Sequence, residues 1–213
     1  MTDPVRRTIR ITSLRQLSLV HVEAALVTYR GRPAVRLLES YEKEDDLQPI
    51  AIIAGTEFSD GIIETAIAGL PRPGASDTAR GFVGIAFRVR DDGSRFEAFY
   101  LRPTNGRAED QLRRNHSTQY MSHPEYPWFR LREESPGAYE SYTDLVPAEW
   151  TSIKITVRGR QACLYVNKAD QPCLVVNDLK LGESRGQLAL WIGSEAEAYY
   201  STRITLTAES GSP

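Results

Sequence analysis

Cysteine is scarce in this chain, two residues (Cys163 and Cys173) among 213. Two thiols with no metal-ligand spacing exclude a disulfide framework and point to a reducing compartment. Lysine is scarce as well, 4 against 22 arginines. The cations are therefore almost all planar forks that pair with carboxylates and stack on rings. No apolar run approaches the about 18 residues of a membrane span, and the opening MTDPVRRTIRITSLRQL lacks the apolar core of a secretory leader. A soluble cytoplasmic protein is the expectation. A formal charge of -2 gives no global attraction to nucleic acid or anionic lipid, and neither partner is expected. There is also no long helical pattern, internal repeat, low-complexity stretch or linker.

What is present is alternation. Gly61–Gly69 places Ile63, Thr65 and Ile67 on one side, with Ile62, Glu64, Ala66 and Ala68 on the other. Glu149–Arg158 sends Ile153, Ile155 and Val157 inward, and Gly159-Arg160 turns it into Gln161–Asn167. Leu17–Tyr29 with Ala34–Leu38 reads as a strand pair around Gly31-Arg32-Pro33, and Ile50–Ala54 as a short strand. Cys173–Asn177, Gly186–Ile192 and Ala198–Thr207 complete the series. Residues 1–15 read as a loosely held arm, Glu39–Asp46 as an acidic surface loop, and Trp150 as a core anchor opening its strand. Strands spaced by Gly, Pro, Asp and Asn along the whole length predict an all-β antiparallel sandwich, one domain over 1–213.

The chain is organised around Gly81–Arg132. Val83, Ile85, Phe87 and Val89 alternate with Phe82, Gly84, Ala86 and Arg88; Asp92-Gly93 supplies a turn. The returning strand Arg95–Arg102 sets Phe99 and Leu101 against Ala98, Tyr100 and Arg102. Parity thus predicts Arg88, Tyr100 and Arg102 on one non-core face. Trp191, alternating with Leu190 and Ile192, is a candidate for the same face. The polar run Thr104–Arg130 reads as a single loop-like excursion over it, presenting Asn115, His116, Tyr120 and Trp128. Pro127–Arg132 and Tyr139–Leu145 read as short flanking strands.

The order GIIETAI, GFVGIAFRV, RFEAFYLRP, EWTSIKITVRG-RQACLYVN, GQLALWIG and AYYSTRITL resembles the concanavalin A-like lectin/glucanase jelly rolls. The likeness is greatest to laminin-G-like (LamG-like) modules and 3-keto-disaccharide hydrolase domains, and it covers about Gly61–Leu206. It implies an antiparallel jelly-roll β-sandwich whose concave face and rim loops take carbohydrate. The insert Thr104–Arg130 has no counterpart in those families, and no hydrolase residue carries over.

On that basis the expected ligand is a carbohydrate, with an acidic sugar favoured by the arginines. The expected lining is Arg88, Tyr100, Arg102, Asn115, His116, Tyr120, Trp128 and Glu140. An alternative is glycoside cleavage with Glu97 or Glu140 as acid or base. That chemistry needs two carboxyls flanking one bond, about 5–5.5 Å apart for retention, and the E-x-D-x-x-E run of the glucanases is absent. A further alternative is a protein-binding LamG-like module. His116 and His123 match no zinc spacing. Some jelly rolls of this kind carry calcium, but Asp91, Asp92, Asp110, Asn177 and Asp178 follow no EF-hand order. No metal or cofactor is expected.

Overall fold

The computed structural model describes residues 5–40 and 46–208. The strands in chain order are β1 (Val5–Arg10), β2 (Leu17–Val20), β3 (Val22–Tyr29), β4 (Arg32–Glu39), β5 (Ile50–Phe58), β6 (Gly61–Pro71), β7 (Phe82–Val89) and β8 (Phe96–Leu101). They continue with β9 (Thr118–His123), β10 (Glu140–Ser141), β11 (Thr151–Arg158), β12 (Gln161–Val166), β13 (Leu174–Val176), β14 (Gly186–Gly193), β15 (Ala196–Ser201) and β16 (Arg203–Ala208). Two short helices, α1 (Gln111–Asn115) and α2 (Trp128–Glu134), flank β9.

The strands form two antiparallel sheets, as the alternation predicts. The first runs β13-β12-β11-β6-β15-β4-β3, with β1 and β16 joined to its β6 side; the second runs β10-β9-β8-β7-β14-β5-β2. The eleven-residue β6 pairs with β15 through its C-terminal half and with β16 through its N-terminal half. Between the sheets lie Ile63, Ile67, Ile153, Ile155 and Val157 from the first, and Val83, Ile85, Phe87, Phe99 and Leu101 from the second. All ten are the residues that period-two reading sends inward.

Several expectations are corrected. Residues 5–10 are not an arm: β1 pairs with β16 from Val5↔Ala208 to Arg10↔Arg203. Only Ile9 of that strand is buried, so its charges suit an edge and hide it from a hydrophobic count. Pro127–Arg132 belongs to a helix, with Pro127 at the N-cap and an Arg130–Glu134 ion pair at i,i+4. The Thr104–Arg130 excursion is not one loop, because β9 crosses it and pairs with β8. The polarity of β9 masked it: its inward residues Tyr120 and Ser122 stand opposite Phe99 and Glu97. Trp150 is only half-buried on the outside of the first sheet, where its indole N–H donates to Tyr29 O at 3.3 Å. Of the expected acidic loop Glu39–Asp46, residues 41–45 lie outside the described residues.

One end of the sandwich is closed by polar groups. Opposite β14, register shifts between Ala86 and Val89 so that Phe87 and Arg88 together face Leu188. Arg88 sits at φ 55° in this bulge, and its side chain turns inward. All five guanidinium N–H donors are used. Nε donates to Ser59 O (3.1 Å), Nη1 to Glu97 Oε2 (3.3 Å) and Gly182 O (2.5 Å), and Nη2 to Asp60 Oδ1 (3.0 Å) and Gly159 O (2.7 Å). Glu97 Oε1 accepts from Tyr120 Oη (2.8 Å) and Leu181 N (2.9 Å). The Arg88 and Glu97 side chains are 1% and 0% exposed, so neither charge has water to fall back on. Arg88→Met is therefore expected to cost about 3–5 kcal/mol, the penalty for stranding a buried charge. The double variant Arg88→Met/Glu97→Leu should recover part of that loss. Urea unfolding reads both, and a loss below about 1 kcal/mol for the single variant would refute this account.

Candidate functional site

The outward face of the second sheet carries Ala86, Val89, Phe96, Ala98, Tyr100, Met121, Ala189 and Trp191 as a second apolar layer. It is not the open wall that parity suggested. Tyr100 and Trp191 are buried, and the turn at Gly93 lies so near that a Cβ there would meet Ile50, Ile52 and Val20. Open space begins at one end of this layer, where Phe82 remains half-buried at the start of β7. There a groove of about 640 Å³ is lined by Phe82, Arg102, Trp128, His116 and three further arginines, Arg80, Arg113 and Arg132. Across His116 and Arg132 it meets a second hollow of about 620 Å³, which holds Asn115, Glu140 and Tyr142.

Arg102 is the floor. Its guanidinium carbon lies 5.1 Å from the Phe82 ring centre, 5.3 Å from Tyr100 and 5.4 Å from Trp128. Such a cation is held by ring quadrupoles on three sides. Its Nη2 donates to Tyr100 Oη and Gln119 Oε1, both at 3.0 Å, and Nη1 donates to His116 O at 3.1 Å. Gln119 is fixed in turn by donating to the carbonyls of Tyr120 and Tyr139. Burial pushes the Tyr100 phenol above its ordinary value, with Arg102 opposing, so it stays protonated.

Glu140 sits behind the floor. Arg132 grips it through Nε (3.0 Å) and Nη2 (2.6 Å), Arg102 Nη1 lies 3.7 Å away, and His116 Nε2 lies 3.2 Å from Oε1. Arg132 also stacks over Trp128 at 4.7 Å. Burial lowers the His116 imidazole below its ordinary value; the Glu140 carboxylate raises it, and Arg132 and Arg102 lower it. Asn115 stands at the exposed end of α1, accepting from Gln111 Nε2.

Of the expected site residues, Tyr100, Arg102, Asn115, His116, Trp128 and Glu140 converge here. Arg88 and Tyr120 do not. The bulge turns Arg88 into the sandwich, and the Phe99↔Tyr120 pairing puts Tyr120 on the inward face. Glu97 lies there too, opposite Phe87, and lines neither hollow. Burial pushes its carboxyl above the usual range, against the pull of Leu181 N–H, Tyr120 and Arg88. Sequence reading missed Arg80, Phe82, Arg113, Arg132 and Gln119 as site residues. Two signals were legible: Arg113 and Gln119 lie in the polar excursion expected to present the site, and Phe82 shares the parity of Tyr100.

The oxygen ligands considered for calcium are dispersed. Asp92 accepts from Ser94, Asp91 from Gln187, Asp110 caps α1, and Asp178 pairs with Lys180 and Tyr139. Among the described residues no three His, Cys, Asp or Glu side chains gather as a metal site.

No protein-family model matches this chain, and no curated protein matches it in sequence. Solved structures do match in shape. Carbohydrate-binding module CBM66 from Bacillus subtilis superposes with a TM-score of 0.60 at 13% identity, over 90% of this chain and 95% of the module. The exoplasmic/lumenal domain of VIP36, solved bound to Ca2+ and Man3GlcNAc, gives 0.58 at 10% identity over 97% and 90%. Peanut lectin gives 0.54 at 7% identity, covering 97% of each chain. The fold is the concanavalin A-like jelly roll. At these identities the likeness concerns architecture alone.

The electrostatics of the hollow can be checked through His116. Its imidazole is expected to titrate below 6.5 by NMR. Glu140→Gln should lower that value further, since the carboxylate is what holds it up; a rise would contradict the arrangement described.

Proposed function

We propose that this protein binds carbohydrate through the groove above Arg102, and that the preferred sugars carry an acidic group. The single observation that carries this reading is the setting of Arg102, stacked among Phe82, Tyr100 and Trp128 with Arg132 beside it. Exposed indole beside guanidinium suits a sugar: the C–H face of a pyranose packs on the ring while hydroxyls and carboxylate take charged hydrogen bonds. The carbohydrate-binding module and the Man3GlcNAc-bound lumenal domain among the similar structures support the choice of ligand class. The two candidate carboxylates do not suit a hydrolytic role, although putative glycosyl hydrolases from Parabacteroides distasonis share the fold. Glu97 is sealed in the sandwich, and Glu140 is already held by Arg132 and faced by Arg102 and His116.

Calorimetry with neutral and uronic saccharides tests the proposal; a folded sample that binds neither would end it. Arg102→Lys should weaken uronate binding by roughly tenfold or more, because an ammonium cannot reproduce the stacked fork. Acidification gives an independent check. The folded His116 titrates low, so it is neutral at pH 7 and gains charge only as pH falls through its depressed value. Uronate affinity should therefore rise as pH falls from 7 through that depressed value, by up to roughly fivefold, the effect of one charge added at about 4 Å in a water-like dielectric. His116→Gln should flatten that profile, and an unchanged slope would remove His116 from the site.

A further inference from the structure

The four arginines of the groove form two unlike pairs. Arg102 and Arg132 share the Glu140 carboxylate and the Trp128 ring. Arg80 and Arg113 share neither, and among the described residues neither makes an ion pair. Arg80 Nη1 donates only to the carbonyls of Asp77 (3.0 Å) and Ala79 (2.9 Å) in its own loop. Arg113 donates through Nε to Asn105 Oδ1 (2.9 Å) and through Nη2 to Thr104 O (3.3 Å). These neutral partners fix each fork and leave its charge uncompensated. Burial lowers the Arg80 pKa, and the neighbouring charge of Arg113 lowers it further.

Asp110 is the one acid in the same lining, and its Oδ1 is spent on the Arg113 backbone N–H at 2.6 Å. Counting Asp110 and Glu140 against the four guanidinium groups leaves an excess of two positive charges. A single carboxylate would satisfy the Arg102–Arg132 end and leave like charges facing each other at the other end, an arrangement that favours a second anion.

We infer that the groove takes a glycan bearing two acidic groups, one at Arg102–Arg132 and the second at Arg80–Arg113. This rests on the reading of the groove as an acidic-sugar site. The second group is an oxyanion on a saccharide, and a uronate carboxylate and a sulfate ester both supply that chemistry.

Calorimetry on the full chain with glucuronic acid, digalacturonate and a doubly sulfated disaccharide tests the inference and separates the two sources. At least one diacid should bind roughly tenfold or more tighter than the monoacid, and the tighter of the two names the acid. Arg80→Gln and Arg113→Gln should each bring the diacid-to-monoacid ratio close to one, whereas Arg6→Gln, on the distant β1, should leave it unchanged. Arg80→Gln removes bonds to local carbonyls only, so it serves if Arg113→Gln fails to fold. Equal affinities in the parent protein, or a ratio that survives both substitutions, would overturn the second subsite while leaving an acidic-sugar site standing. Failure of every acidic and neutral sugar to bind would overturn both.

Discussion

The Arg88–Glu97 pair is the constraint on which the rest of the architecture depends. An ion pair sealed from water is worth little as an attraction, because each charge loses several kcal/mol of hydration on entering. Its force lies in what it forbids. With five donors satisfied by Glu97, Asp60, Ser59, Gly159 and Gly182, any shift of the turns carrying those acceptors strands a charge. Those turns belong to different places: the β5–β6 turn, which passes from the second sheet to the first, the β11–β12 turn of the first sheet, and the segment leading into β14 of the second. Arg88 therefore sets the spacing of the two sheets at this end. Glu97 extends the hold to β9 through Tyr120, whose hydroxyl in turn accepts from Lys180 N at 2.9 Å.

Fixing β9 matters for the groove at the opposite end of the same strands. Gln119, next to Tyr120, faces outward and orients Arg102, and α2 follows β9 directly to bring Trp128 and Arg132 over it. The inner face of β9 is thus anchored by a buried carboxylate network, and its outer face aims a cation. The alternation of a strand lets one segment do both. Small residues let the cover come down: a Cβ on Gly84 would meet Phe99 O at 2.4 Å, so β7 and β8 approach closely beneath the aromatic layer.

Core parity was the legible part of this sequence. Val83, Ile85, Phe99 and Leu101 follow the period of two without exception, and so do Ile63 and the β11 isoleucines. The same rule contained a warning about Glu97, which shares its parity with Phe99 and belongs inside; its aromatic neighbours drew attention to it as an acid instead. Arg88 was unreadable for a different reason. A bulge adds one residue to a strand without leaving a mark in composition, and here it turns Arg88 inward and Val89 outward. β9 and β1 were missed because polar and charged residues fill them, β9 lying over a buried polar network and β1 at an edge. Arg80, Arg113 and Arg132 come from three separate segments, and only tertiary structure gathers them.

The abundance of arginine over lysine takes on a specific meaning at this site. A lysine at position 102 would bring the same charge, but as a strongly hydrated point on a flexible stem. Arg102 instead sits among three rings, with its Nη1 and Nη2 committed to His116 O and to Tyr100 and Gln119. Glu140 plays the matching part for Arg132, gripping one edge of the fork and so fixing where the other edge points. Both guanidinium groups are therefore oriented before any ligand arrives, and the entropy of ordering long side chains has been spent in folding rather than in binding. Guanidinium groups fixed in this way select for the geometry of an anion as well as its charge.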